Sequence, residues 1–295
     1  MSDKLRAGVW GVLATPFTGS TLDVDDVGLA RLSEHLEESG VAGITVLGVF
    51  GEGSRLSAEE RTIVMDTVVE STSLPLVVGC SGLSTAPVIE EALAAVEALG
   101  DRLAAVMVLA NSPNLRVLSD HLGAVNEATG APVVLQDYPA VSGVDIADDV
   151  IAAAAEADHV VALKAESAPT AATVAASTAR SDTPVFGGLG GINLLDELRL
   201  GAAGTMTGYS YPEALVECVA LWHKGDTAGA RQLLQRHLPL IAFEQQPRIA
   251  LAIRKECLRR RGFIAESAVR PPAAGMPQSL LPALADHLDA LERSN

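Results

Sequence analysis

Eight times between residues 8 and 224, a short apolar run bounded by glycine or proline gives way to a longer stretch rich in alanine, leucine and glutamate. Strands followed by helices in strict alternation lie parallel, because each helix carries the chain back to the same end of the sheet. The pattern predicts strands at Gly8–Pro16, Gly43–Gly48, Leu74–Cys80, Ala104–Leu109, Ala131–Asp137, Val160–Glu166, Pro184–Gly188 and Gly204–Gly208. Helices are expected at residues 24–39, 57–71, 85–99, 116–129, 146–157, 169–180, 193–200 and 212–224, the second opening on a Ser57-Ala-Glu-Glu60 capping box. Eight parallel strands are the number that closes on itself around an interior filled by side chains. The expected fold class is therefore α/β, a (β/α)8 TIM barrel. Past residue 225 the alternation stops. Residues 1–225 are expected to form the barrel and 226–295 a C-terminal helical extension, helical throughout apart from a break at Pro271-Pro272, with Asp226 as its N-cap.

Composition narrows the partners. A net charge of −16 argues against nucleic acid and against an anionic membrane surface, so any anionic ligand must be drawn by local donors. Cys80, Cys218 and Cys257 are odd in number and lack CxxC or Cys/His metal spacing, which points to a reducing cytoplasm, no disulfide framework and no metal. The apolar stretch Ala7–Phe17 is broken by Gly8, Gly11 and Pro16 and reads as a strand, not a signal peptide. No apolar run approaches the roughly 20 residues that span a bilayer. Arg254, Lys255, Arg259, Arg260 and Arg261 form the one basic cluster, expected to be a solvated helix face.

In such barrels the chemistry sits at the C-terminal ends of the strands. Lys164 is the one lysine inside an apolar strand pattern, Val160-Val161-Ala162-Leu163-Lys164-Ala165-Glu166. An amine taken out of water loses part of the stabilisation of its ammonium form, and the neutral amine attacks carbonyls. Glu166, two residues on, shares its face by the period of two and is a candidate proton shuttle. The fifth strand ends in Gln136-Asp137-Tyr138-Pro139, where Gln136 and Tyr138 are candidate catalytic groups and Asp137 a candidate ligand for substrate. The loop Gly48-Val49-Phe50-Gly51-Glu52-Gly53 is read as a place where backbone closes on a bound carboxylate, with Gly48, Val49, Phe50 and Gly51 against substrate. Gly188 and Gly190 after the seventh strand, and Thr205 and Thr207 in the eighth, are further positions expected to face the cavity, with Gly188, Gly190 and Thr207 assigned to substrate binding.

Taken in order, Gly11-Val12-Leu13-Ala14-Thr15-Pro16-Phe17, the Gly48–Gly53 loop, the strand-five proline segment and Lys164 resemble the dihydrodipicolinate synthase and N-acetylneuraminate lyase family over essentially the whole chain. The resemblance implies a (β/α)8 barrel with C-terminal helices, a homotetramer or homodimer, no cofactor, and an imine between Lys164 and the keto carbon of pyruvate or another 2-keto acid. The chain departs from the synthases and sialic acid lyases at four places. Gln136 stands where the relay tyrosine of a Tyr-Asn-x-Pro segment would be, and Val49 and Phe50 replace two hydroxyl residues. Asn111-Ser112-Pro113-Asn114 lacks a further tyrosine, and Val141 replaces the arginine that would hold the second substrate's carboxylate.

The pairing of Gln136-Asp137 with Glu166 looks more like branches that dehydrate 2-keto-3-deoxy sugar acids, so a dehydratase or aldolase of that kind is the expected activity. The alternatives are condensation of pyruvate with aspartate semialdehyde, and a barrel without catalysis that serves as a ligand sensor.

Overall fold

The computed structural model describes residues 3–293; the first two and last two positions of the expected barrel and extension spans lie outside them. Eight parallel strands form the barrel: β1 (Gly8–Val12), β4 (Gly43–Val46), β5 (Leu76–Gly79), β6 (Leu103–Leu109), β7 (Val133–Asp137), β8 (Val160–Ala165), β9 (Val185–Gly187) and β10 (Gly204–Thr207). They close in the order β1-β10-β9-β8-β7-β6-β5-β4. Each predicted strand is present, several trimmed at their ends. Between β1 and the first helix, β2 (Phe17–Thr18) and β3 (Asp23–Val24) pair as a small antiparallel ribbon that the alternation did not reveal, since two-residue strands carry no period.

The ring of helices comprises α1 (Asp26–Glu38), α2 (Ala58–Ser71), α3 (Thr85–Leu99), α4 (Leu115–Thr129), α6 (Asp148–Ala154), α7 (Thr170–Thr178), α8 (Leu194–Arg199) and α9 (Pro212–His223), with a single extra turn α5 (Pro139–Ser142) after β7. The expected capping box starts α2: Glu60 N donates to Ser57 Oγ at 3.2 Å and Ser57 N to Glu60 Oε2 at 2.8 Å.

Alternation along the strands divides the core in two. Trp10, Val12, Val77, Met107, Val134, Ala162, Phe186 and Met206 fill the barrel, and the odd-numbered partners on β7 and β8, Leu135, Leu163 and Ala165, pack outward against the helices. The packing of Trp10 depends on Gly43. Any side chain there would collide with the Trp10 ring, and a glycine lets the indole lie across β4.

After α9 come α10 (Thr227–Glu244, capped by Asp226 Oδ1, which accepts from Gly229 N at 2.8 Å), α11 (Ala250–Arg260) and α12 (Leu281–Glu292). The break expected at Pro271-Pro272 is present but wider, covering residues 261–277, and a second, unexpected one separates α10 from α11 at residues 245–249. In the wider break Gly262, Pro271, Pro272 and Pro277 remove helix-forming backbone, and Arg270 anchors that segment to the rim. Its guanidinium donates to Leu22 O at 2.7 Å, Arg55 O at 3.0 Å and the Glu60 carboxylate, and its backbone amide donates to Glu52 Oε2 at 3.0 Å.

The basic cluster is a solvated face only in part: Arg259 and Arg260 are exposed as expected, whereas Arg254 and Lys255 are not. Lys255 is completely buried, 2.6 Å from Glu52 Oε1 and over the Phe17 ring, and Arg254 is buried against Phe50. Arg259 and Arg260 bind Glu256, and Arg261 binds Glu213. Desolvation of Arg254 and Lys255 is offset by carboxylates from elsewhere in the chain, Glu244 of α10 and Glu52 of the glycine-rich loop.

Candidate active site

The C-terminal ends of β1, β4, β6, β7, β8 and β10 open into a cavity of about 460 Å³. Its reactive floor follows from strand register. Gln136 and Lys164 are direct partners across β7 and β8, so their side chains enter side by side. Glu166 follows on the same face, and Lys164 Nζ lies 3.0 Å from its Oε2. Gln136 Nε2 donates to that same oxygen at 2.6 Å. All three side chains are nearly closed off from solvent. A buried carboxylate fixed between an ammonium and an amide is oriented, charge-balanced and within reach to exchange a proton with the lysine.

Glu166 fits there because position 188 is glycine. A Cβ at Gly188 would strike the Glu166 side chain. Gly188 itself does not line the cavity, so its expected contact with substrate is replaced by this packing role. Gly190 does line it, but its amide is already spent on Thr207 Oγ1 at 2.9 Å, which holds Thr207 at the wall. Thr205 points elsewhere and donates to Gly187 O.

In the glycine-rich loop, Gly48, Val49 and Phe50 line the cavity and Gly51 does not. Of the loop's amides, those of Glu52 and Gly53 are taken up within the loop itself, bonding to Val49 O at 3.2 Å and Gly48 O at 3.3 Å. Gly51 and Gly53 instead let the loop fold back onto the Leu47 backbone, where any Cβ would clash. Glu52, left-handed at φ 54°, is thereby turned inward to Lys255.

Tyr138 lines the cavity, its phenol pushed up by burial and then by the nearby Glu166 charge, with Arg254 opposing. Asp137 does not. It follows Gln136 on the outward face of β7, buried away from the cavity with Oδ2 lacking a partner. Burial, reinforced by Asp148, Asp145 and Glu166, raises it to about 6. The period of two that puts Glu166 in the cavity puts Asp137 outside it, against the expectation that it contacts substrate.

Sequence reasoning missed the wall supplied by the C-terminal segments: Gln245, Arg248, Leu251 and Arg254 from around α11, with Pro272 and Ala273 beyond it. The basic cluster was the available signal. Arg55, from the turn after the glycine loop, also reaches the lining.

Behind β9 a second carboxyl is buried. Glu197 Oε1 accepts from Thr170 Oγ1 at 2.6 Å, while Oε2 is buried against Gly187 without a partner. Burial pushes Glu197 up to about 7, against the Thr170 hydrogen bond. An acid raised in the folded state binds more protons than the unfolded chain between pH about 4.5 and 7, so folding stability falls as pH rises through that window. Glu197→Gln keeps an acceptor for Thr170 and removes the ionisation. It is expected to leave the melting temperature at pH 4.5 nearly unchanged and to raise stability at pH 8 by on the order of 1–3 kcal/mol. Equal shifts at both pH values would contradict this.

The chain matches the model of the dihydrodipicolinate synthetase family over residues 5–291. It is 32% identical over 238 residues to a 4-hydroxy-tetrahydrodipicolinate synthase of Methanothrix thermoacetophila, covering 79% of this chain and 80% of that protein. A protein of the same name from Kineococcus radiotolerans is 31% identical over 288 residues, 96% of this chain and 90% of the relative. Among solved structures, a dihydrodipicolinate synthase from Rhodopseudomonas palustris superposes with a TM-score of 0.89 at 30% identity, covering 98% of this chain and all of that one. A match along nearly the full length, with relatives above 30% identity, decides the matter: the chain belongs to the dihydrodipicolinate synthetase family, enzymes that act as lyases or synthases through a lysine imine.

Proposed function

We propose that Lys164 is the imine-forming amine and that the substrate it captures is a 2-keto acid, with pyruvate the simplest. The observation that carries the proposal is the Lys164–Glu166 pair, 3.0 Å apart at the floor of the cavity. Glu166 takes the ammonium proton, the neutral amine adds to C2, and the former carbonyl oxygen leaves as water on receiving that proton from Glu166, which is a carboxylate again. The resulting iminium draws electrons from C3, so a C3 proton departs to a base and an enamine forms. Glu166 is placed to accept that proton and to balance the iminium charge.

The relatives' names weigh toward condensation as the fate of the enamine. In that reaction the enamine carbon of pyruvate attacks the aldehyde of aspartate semialdehyde, and this reading has more support from the relatives than the sugar-acid expectation. A second reading is favoured by one feature of the site. Where a relay tyrosine would bring a phenol, Gln136 brings an amide that only fixes Glu166. Such a floor suits dehydration of a 2-keto-3-deoxy sugar acid, in which the enamine expels the C4 hydroxyl as water with acid help.

Borohydride reduction in the presence of pyruvate, followed by peptide mass mapping, is expected to place a stable adduct on Lys164. Absence of an adduct there with every 2-keto acid tried would sink the proposal. A coupled assay with pyruvate and aspartate semialdehyde, run beside a panel of 2-keto-3-deoxy sugar acids, separates the two finer readings by which shows turnover at ordinary enzyme rates. We further propose a homo-oligomer, dimer or tetramer, which light scattering reads directly. Among the described residues no helix is long and apolar enough to cross a membrane, and the family resemblance supports a place in the cytoplasm.

A further inference from the structure

Arg254 is one of three buried cations among the described residues, with Lys164 and Lys255. It is 7% exposed, it sits on α11 outside the barrel, and its guanidinium forms part of the cavity wall. Phe50 supports it from one side, with Cζ 5.0 Å from the ring centroid, and Glu244 Oε2 lies 3.4 Å from Nε. That charge contact does not complete a hydrogen bond, and Nε is left buried without a partner. Gln245 Nε2 is a second buried donor with no acceptor, and both groups meet at Gly190, where a Cβ would run into the glutamine amide and approach Arg254 Nη2 to 3.4 Å. Buried donors in native proteins are almost always satisfied, so the unpaired Gln245 amide beside the Arg254 Nη2 end, both at Gly190 in the cavity wall, marks a place for an acceptor.

Charge points the same way. In a chain of net charge −16 the cavity wall carries Lys164, Arg55, Arg248 and Arg254 against the single carboxylate Glu166. Lys164 and Glu166 come from the barrel floor, whereas Arg248 and Arg254 come from the C-terminal segments. The two sets therefore address different parts of a bound molecule.

We propose that Arg254, assisted by Gln245, binds a carboxylate at the end of the substrate remote from its keto group, so that this enzyme selects molecules that are anionic at both ends. The proposal rests on the reading of Lys164 as the imine-forming amine and adds a specificity-determining residue to it. A guanidinium backed by a buried carboxylate and an aromatic ring is held in one orientation, which favours paired hydrogen bonds to a planar carboxylate over a general attraction for anions.

The test compares 2-keto acids that differ only at the far end: 2-oxoglutarate against 2-oxopentanoate, and 2-oxoadipate against 2-oxohexanoate. Half-maximal borohydride trapping is expected at about tenfold lower concentration for the dicarboxylate of at least one pair. In Arg254→Gln that ratio is expected to fall to about one, while half-maximal trapping of pyruvate changes by less than about twofold. Because the single variant leaves Glu244 buried without its cation, the doubly substituted Arg254→Gln/Glu244→Gln protein provides a charge-balanced check with the same expected ratio. A ratio near one in the unsubstituted protein, or one that survives in both variants, overturns the proposal. Protection of the lysine by inorganic phosphate more effectively than by glutarate overturns the carboxylate assignment. Failure to trap pyruvate at all is a different result and counts against Lys164. Thermal stabilisation by glutarate over pentanoate, lost in the variants, would in that case still establish the subsite, and equal stabilisation would remove it.

Discussion

Lys164→Ala is expected to eliminate the borohydride-trapped adduct and to lower kcat/KM by on the order of 10⁴ to 10⁶, the range seen when a covalent nucleophile is removed. The size of the loss follows from chemistry that no neighbour replaces. Without the imine there is no electron sink beside C3, and the carbanion-like transition state loses its main stabilisation. Lys164→Arg sharpens the experiment. It keeps a cation at the same strand end and preserves a partner for Glu166, yet a guanidinium does not form the imine. Equal loss in both variants assigns the role to the amine and not to its charge. Adduct formation at another lysine in Lys164→Ala would refute the assignment.

Glu166→Gln is expected to lower kcat by about 10² to 10⁴, the usual contribution of a positioned acid or base. The adduct on Lys164 is expected still to form, more slowly, because glutamine occupies the space beside Gly188 but does not accept the lysine or C3 proton. A fall in kcat with trapping retained identifies Glu166 with proton transfer after capture. A kcat within about threefold of the unsubstituted enzyme would remove it from the chemistry and leave it a counter-ion for Lys164. Melting curves report on folding separately: Lys164→Ala and Glu166→Gln each break a nearly buried ion pair, and in Lys164→Ala the Gln136 amide remains to bond Glu166.

The strand–helix alternation was legible because it is local. Each strand's period and each glycine or proline boundary lies within about ten residues, and eight repetitions leave few ways to close a sheet. Lys164 and Glu166 were legible for the same reason, since a separation of two on one strand fixes a shared face. The identical rule places Asp137 outward, and its candidacy arose from weighing residue type above register. Gly51 and Gly188 illustrate another limit. A glycine in a loop signals close approach, but the sequence does not say whether the approaching group is a ligand or, as here, Leu47 and Glu166 of the chain itself.

The C-terminal wall was not legible because its meaning is carried by long-range pairs. Lys255 meets Glu52 across 203 positions, and Arg270 meets Glu60 across 210. A run of arginines and lysine on a helix reads as solvated wherever hydropathy is the guide, since burial of a cation is costly until a carboxylate is fixed beside it. By itself, then, the sequence determined an eight-stranded α/β barrel, its family likeness, and a lysine with a carboxylate on the same strand face. The tertiary structure alone decided that the basic segment would close over the barrel mouth and that Gln136 would fix Glu166. It also decided that Arg254 would complete the cavity, because each of these depends on polar and charged groups from different elements meeting in a place from which water is largely excluded.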